Sequence, residues 1–179
     1  MKIALLGKMR SGKDTVGEYL CDTHNCKRFA FGDEVKDVIN TYFPKAFENG
    51  KPREHYQVIG QSFRKLNPNI WIERTIDKIN TVEQLNPNIN IVVTDVRQPN
   101  EATELRKRGF TIIKVVAPEH IRLERILAAK DNFNEEELHH ETELNVDKCV
   151  YDYCITNDGT LEELYREVDV VLNCCQGGC

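Results

Sequence analysis

A chain of 179 residues, 40 % hydrophobic and 30 % charged, is long enough for one domain with a sizeable core. Its formal net charge of −5 argues against a nucleic-acid-binding surface as the main business, since such surfaces carry a basic face. No apolar run approaches bilayer-spanning length, and Met1-Lys2 leads straight into an apolar run without a signal-peptide pattern, so a cytoplasmic protein with no membrane partner is expected.

Residues 2–6 read as the first strand, with the apolar run Ile3-Ala4-Leu5-Leu6. Gly7-Lys8-Met9-Arg10-Ser11-Gly12-Lys13 follows at once, and a helical pattern over 13–24 begins where it ends. Strand, G-x-x-x-x-G-K and helix N-terminus together make a phosphate-binding loop. The glycines let consecutive N–H groups point inward, the helix start adds its dipole, and Lys13 reaches the β- and γ-phosphates. The residue after this lysine is commonly Ser or Thr, whose hydroxyl binds magnesium; here it is Asp14, followed by Thr15. Asp14 suits Mg2+ as a hard oxygen ligand, or complements the helix dipole as a first-turn carboxylate. Thr15 is the second hydroxyl candidate.

Lys27 to Phe31 reads as a short second strand, and helices are expected near 33–42, 52–66 and 69–84. Pro68-Asn69 separates the last two and suits a helix start. Asp33 and Lys36 open the first of these helices; Gln61 and Arg64 share a face of the second; Trp71 begins the third. A site for a phosphorylated acceptor needs cations for its phosphate and planar groups for a base, which Arg64, Gln61 and Trp71 can supply. Solvated polar groups and a core tryptophan are the plain alternatives.

Asn86-Pro87-Asn88 is a turn, and residues 89–94 form a buried strand ending at Asp95. Ligands of open α/β sheets bind beyond the carboxyl ends of strands. Asp95 is therefore placed to order Mg2+, with a helix N-cap as its alternative role. Arg97 can grip a phosphate bidentately, or pair with Glu101 at the (i, i+4) spacing. A helix near 99–108 stops at Gly109, a strand spans 110–116 and a helix 118–129. Arg122 and Arg125 share a face of that helix and Lys130 follows, so these cations can close over a transferring phosphoryl group. Segment 130–147 is polar, irregular and acidic, contains His139 and His140, and is long enough for a lid. A last strand is expected over 150–156 and a last helix over 159–172.

Strands alternating with helices imply a single three-layer α/β domain with a parallel five-stranded sheet of P-loop NTPase type, a helical insertion over 33–84 and a lid-like segment over 130–147. Seven cysteines, Cys21, Cys26, Cys149, Cys154, Cys174, Cys175 and Cys179, are an odd count without a secretion pattern and read as reduced thiols. Cys21-x2-His24-x-Cys26 and the Cys174-Cys175-x3-Cys179 tail lack the paired C-x2-C spacing of common structural zinc sites.

With these residues assembled, the chain resembles the deoxynucleoside monophosphate kinases of bacteriophage type. The resemblance covers most of the chain: GKMRSGKDT at 7–15, FAFGDEVK at 29–36, QVIGQSFRKLNPNIWI at 57–72, TDVRQPNEATELRKRGF at 94–110, HETELNVD at 140–147 and YDYCITNDGTLEEL at 151–164. Animal-type phosphomevalonate kinases are similar in the loop, the Asp-x-Arg segment and the acidic stretch. The broader likeness is to nucleoside monophosphate kinases, including dephospho-coenzyme A kinase. The resemblance implies ATP·Mg2+ as donor, lying across Gly7, Lys8, Arg10, Ser11, Gly12, Lys13, Asp14 and Thr15, and a small phosphomonoester as acceptor. It implies Arg97 and Arg64 near the acceptor phosphate, Asp33 and Lys36 approaching the acceptor, and Arg122 or Arg125 contributed from the lid side. The expected activity is conversion of a (deoxy)nucleoside monophosphate to the diphosphate. A kinase of another phosphomonoester and a non-catalytic nucleotide-binding module are the rivals.

Overall fold

Ile3, Ala4, Leu5 and Leu6 are all at most 1 % exposed in β1 (Lys2–Leu6). Burial on both faces is what a central parallel strand demands. The coordinates are a computed structural model that describes residues 1–48, 50–128, 141–175 and 177. β1 pairs in parallel with β3 (Asn90–Val96) on one side and β4 (Thr111–Val116) on the other. β4 pairs in parallel with β5 (Tyr153–Thr156). With β2 (Cys26–Phe29) next to β3, the five-stranded sheet has the order β2-β3-β1-β4-β5.

Parallel neighbours need long crossovers. These are helical here: α1 (Lys13–His24), α5 (Pro99–Lys107), α6 (Glu119–Ala128) and α8 (Leu161–Cys175) all belong to them or flank them. Val16 and Leu20 of α1 pack with Ile3, Leu5, Val92, Ile113 and Ile155 of the sheet and with Leu164, Val168 and Leu172 of α8. The C-terminal ends of β1, β3, β4 and β5 thereby deliver four connecting segments to one edge of the sheet, the usual ligand edge of such folds.

The chain divides into two compact units, Met1–Arg28 with Asn90–Cys179, and Phe29–Ile89. The second unit contains the block 33–84. It is built from α2 (Phe31–Tyr42), a 3-10 turn (Pro44–Phe47), α3 (Arg53–Leu66) and α4 (Ile70–Leu85). α2 packs on both α3 and α4 around Phe31, Val35, Ile39, Ile72, Ile76 and Ile79. Glu34 is 2 % exposed within this unit, and its carboxylate meets Lys78 Nζ at 2.7 Å and Arg74 Nε at 3.3 Å. A buried carboxylate persists only with such partners.

Element boundaries differ from the sequence reading at three informative places. β3 runs one residue past Asp95, to Val96. β5 starts at Tyr153 rather than residue 150, because the Asp152 carboxylate accepts the Ile112 N–H at 2.7 Å and the Arg106 guanidinium at 2.9 Å before the regular pairing begins. The segment expected to be irregular, 130–147, forms from residue 141 α7 (Glu141–Asn145) and a 3-10 turn (Val146–Lys148) that ends one residue beyond it; the rest of it, with Lys130, His139 and His140, lies outside the described residues.

Cys26 and Cys149 are buried, and burial pushes each thiol up to about 11, so neither is a reactive thiolate. Cys174 is disulfide-bonded, which corrects the expectation that every thiol is reduced; Cys21, Cys26, Cys149, Cys154 and Cys175 are free. No helix among the described residues is long and apolar enough to cross a membrane.

Candidate active site

β1 ends in the loop and α1 begins at Lys13, so the loop is pinned at both ends. Arg10 and Gly12 adopt left-handed backbone conformations, φ 61° and 98°. Left-handed residues set among right-handed ones turn successive N–H groups to one side and form an anion nest. Gly12 is required twice over, by its φ and because a Cβ there would strike Asn157 Nδ2. A Cβ on Gly7 would lie 2.6 Å from both Ser11 Oγ and the Val115 carbonyl.

Lys13 is 3 % exposed, and its pKa is lowered to about 8, first by burial and then by the Arg97 guanidinium. Asp14, Glu143 and Asp95 act in the opposite direction, which places all four charged side chains within electrostatic reach of the amine. Ser11 is 1 % exposed, and its Oγ has no hydrogen-bond partner among the described residues. An under-compensated buried ammonium, an orphaned hydroxyl and a nest of N–H groups fit a polyphosphate. Asp14 is exposed and Asp95 half-buried. Both are hard oxygen donors of the kind Mg2+ takes, and no group of three or more His, Cys, Asp or Glu side chains among the described residues forms a metal cage. Mg2+ bound by one or two carboxylates, phosphate oxygens and water fits that donor set.

Asp95 does not cap α5. Gln98 does, in extended conformation before Pro99, while Glu101 reaches back to accept the N–H groups of Gln98 at 3.0 Å and Arg97 at 2.8 Å. The Arg97 guanidinium therefore has a different partner from Glu101. It meets Glu143 Oε1 at 2.7 Å, while Glu143 Oε2 accepts the Met9 N–H at 2.8 Å. Glu143 is 2 % exposed, so one buried carboxylate ties α7 to both the loop and Arg97. A second tie lies four residues on, where Asp147 bonds Lys8 at 2.6 Å and Lys114 at 3.2 Å. Lys8, then Lys114, hold this carboxyl below the usual carboxylate range.

Arg122 and Arg125, expected over a transferring phosphoryl group, donate to the loop backbone in this structure. Arg122 Nη1 reaches the Met9 carbonyl and Arg125 Nη1 the Arg10 carbonyl, each at 3.3 Å. The helical spacing that puts both on one face of α6 is correct; their partners are carbonyls, which the sequence does not disclose. Beside them lies a cavity of about 230 Å³ lined by Lys8, Ser11, Lys114, Glu119, Arg122 and Asp147.

In the helical unit, Asp33, Gln61 and Arg64 are half-buried and Lys36 is exposed. Trp71 is a core residue rather than a platform for a base. It is 1 % exposed, its Nε1–H donates to the Gly60 carbonyl at 3.1 Å, and Phe63 stacks on its ring at 5.3 Å. Sequence reading placed Glu143, Asp147 and Asn157 inside quoted segments but gave none of the three a role in the site. Asn157 is the first residue after β5, so the strand-end rule was the available signal for it.

Residues 3–146 match the AAA_18 family, described as an AAA domain. The chain belongs to this family. Among curated proteins, it is 25 % identical over 192 residues to the "Putative deoxynucleotide monophosphate kinase" of Acanthamoeba polyphaga mimivirus, covering 93 % of each. It is also 25 % identical over 116 residues to the ORF76 protein of Ictalurid herpesvirus 1, covering 65 % of this chain and 48 % of that one. The ORF77 protein of the same virus is 26 % identical with 50 % covered, so the chain spans about half the length of these herpesvirus relatives. Among solved structures, TT1252 from Thermus thermophilus superposes with a TM-score of 0.60 at 19 % identity, covering 96 % of both chains. Shikimate kinase from Aquifex aeolicus gives 0.55 at 23 % and dephospho-CoA kinase from Campylobacter jejuni 0.58 at 16 %, each covering 100 % of both chains. The fold is that of P-loop kinases.

Proposed function

We propose that this AAA-domain chain is an ATP-dependent phosphotransferase that converts (deoxy)nucleoside monophosphates to diphosphates. The observation that carries the reading is the buried Lys13 at the mouth of the loop, with Arg97, Asp14, Asp95 and Glu143 converging on it. A phosphate-binding loop of this kind suits a nucleoside triphosphate, and the added arginine suits a second phosphate. The mimivirus relative's name supports the same acceptor class.

Lys13 and the loop N–H groups hold the donor phosphates, and Lys13 neutralises charge that grows on the β–γ bridging oxygen. Asp14 and Asp95 are assigned to Mg2+, which when bound would supply positive charge to offset that of the phosphates. Arg97 is assigned to the acceptor phosphate, whose ionised oxygen attacks the γ-phosphorus as the bond to the leaving ADP breaks. No strong general base is needed for such an acceptor. Asp33, Lys36, Gln61 and Arg64 of the helical unit are assigned to acceptor recognition, and Arg122 and Arg125 to the support of the loop. The reaction belongs in the cytoplasm, where ATP·Mg2+ is available.

The test is ADP release from ATP·Mg2+ against dAMP, dGMP, dTMP, dCMP, the ribonucleotides, phosphomevalonate and dephospho-coenzyme A. Acceptor-dependent ADP with one or more nucleoside monophosphates is the expected result. Stimulation by phosphomevalonate or dephospho-coenzyme A alone replaces the acceptor class, and ATP binding with no stimulation by any acceptor refutes the phosphotransferase.

A further inference from the structure

Three successive loop carbonyls each accept a side-chain hydrogen bond. Arg122 Nη1 donates to Met9 O and Arg125 Nη1 to Arg10 O, each at 3.3 Å, and Asn157 Nδ2 donates to Ser11 O at 2.9 Å. The donors are themselves braced. Arg125 Nη2 donates to Asn157 Oδ1 at 3.1 Å and to the Asn157 carbonyl at 3.3 Å, and the Asn157 N–H donates to Val116 O at 2.7 Å. Asn157 is 6 % and Arg122 7 % exposed, so both are held in place by packing.

In a peptide unit the C=O of one residue and the N–H of the next point in opposite directions. Holding the carbonyls of Met9 and Ser11 therefore fixes the N–H groups of Arg10 and Gly12. Ser11 N–H is already used within the loop, donating to Lys8 O at 3.2 Å. Arg10 sits in a left-handed conformation that a side chain with a Cβ resists, and its carbonyl is the one Arg125 holds. A nest built this way keeps its shape without a ligand, and two guanidiniums add positive potential behind it.

We propose that Arg122, Arg125 and Asn157 are positioning residues that preorganise the loop for a polyphosphate by clamping its carbonyls. The proposal rests on reading the loop as the nucleotide site. Asn157 is the keystone, since it bonds the loop directly and also orients Arg125.

The experiment is calorimetric titration of the full chain with inorganic tripolyphosphate and, separately, ATP. Wild type, Asn157→Ala and Arg125→Lys are compared, with thermal unfolding as the check on folding. Asn157→Ala is expected to weaken both ligands about tenfold or more and by the same factor, with the kinetic loss in KM for ATP rather than kcat. Arg125→Lys keeps the charge but loses the fork and is expected to weaken both as well; it carries the test alone if Asn157→Ala does not fold. Unchanged tripolyphosphate affinity in a folded variant overturns the proposal. So does weakening of ATP alone, which would make these residues contacts to the nucleoside. Wild type that binds no tripolyphosphate overturns the loop reading with it. Wild type that binds it, loses it on Asn157→Ala and yet shows no acceptor-dependent turnover refutes the phosphotransferase and leaves the clamp standing.

Discussion

Lys13→Met is expected to stabilise the ligand-free protein while abolishing its chemistry. Lys13 is 3 % exposed, and its pKa falls from 10.5 to about 8 because burial and Arg97 disfavour the charged amine. That drop corresponds to about 3 kcal/mol. The sign follows from proton uptake. Between about pH 8 and 10.5 the unfolded chain holds the proton that the folded chain has released, so stability contributed by this group rises with pH across that window. Below about pH 8 the full cost of the buried charge is present, and above about 10.5 it is gone. Methionine has similar length and no charge to desolvate, so at pH 7 it should raise stability by about 3 kcal/mol, or about 6–12 °C in melting temperature for a chain of this size. The gain should shrink towards zero by pH 10.5. Melting is followed in buffer free of phosphate, sulfate and nucleotide, because any of these anions would compensate the wild-type lysine. ATP binding, measured alongside, should be lost. A variant that melts at or below wild type at pH 7, or whose advantage persists undiminished at pH 10.5, refutes the reasoning.

Glu143→Gln removes the charge that holds Arg97 and should lower saturated ADP release at least tenfold, with a stability loss of about 1–3 kcal/mol in urea unfolding, since a buried charged hydrogen bond is broken. Gly12→Ala forces a left-handed alanine against Asn157 and should cost about 1–3 kcal/mol together with most of the nucleotide affinity, read by melting and calorimetry. Trp71→Ala should destabilise by about 3–5 kcal/mol through the cavity left in the helical unit. Trp71→Phe, which mainly loses the bond to the Gly60 carbonyl, should leave the acceptor KM unchanged, and a raised KM would restore the tryptophan to the acceptor site.

What the sequence disclosed and what it hid follow the range of the interactions involved. The loop was legible because its determinants are local: an apolar strand, two glycines five residues apart and a helix start within a dozen positions. The α/β alternation was legible for the same reason, from periodicity and from breakers such as Pro68 and Gly109. The alternative role of Asp95, a helix cap, shows how one local signal yields to another. Asp is a favoured cap, but Pro99 fixes the first helical position, so the cap falls on Gln98 and Glu101 completes it. The helical spacing of Arg122 and Arg125 correctly gave their shared face, yet a guanidinium pairs equally well with phosphate and with carbonyl, so spacing could not choose. Glu143 bonds Met9 across 134 residues and Asn157 bonds Ser11 across 146. No periodicity encodes such pairs; they exist because parallel crossovers return the chain to the same edge of the sheet. Strand-end residues of one sheet should therefore be read together with the loop that the first strand delivers. Read that way, Asn157 follows from the sheet order, and the residues that hold the loop become as visible as the loop itself.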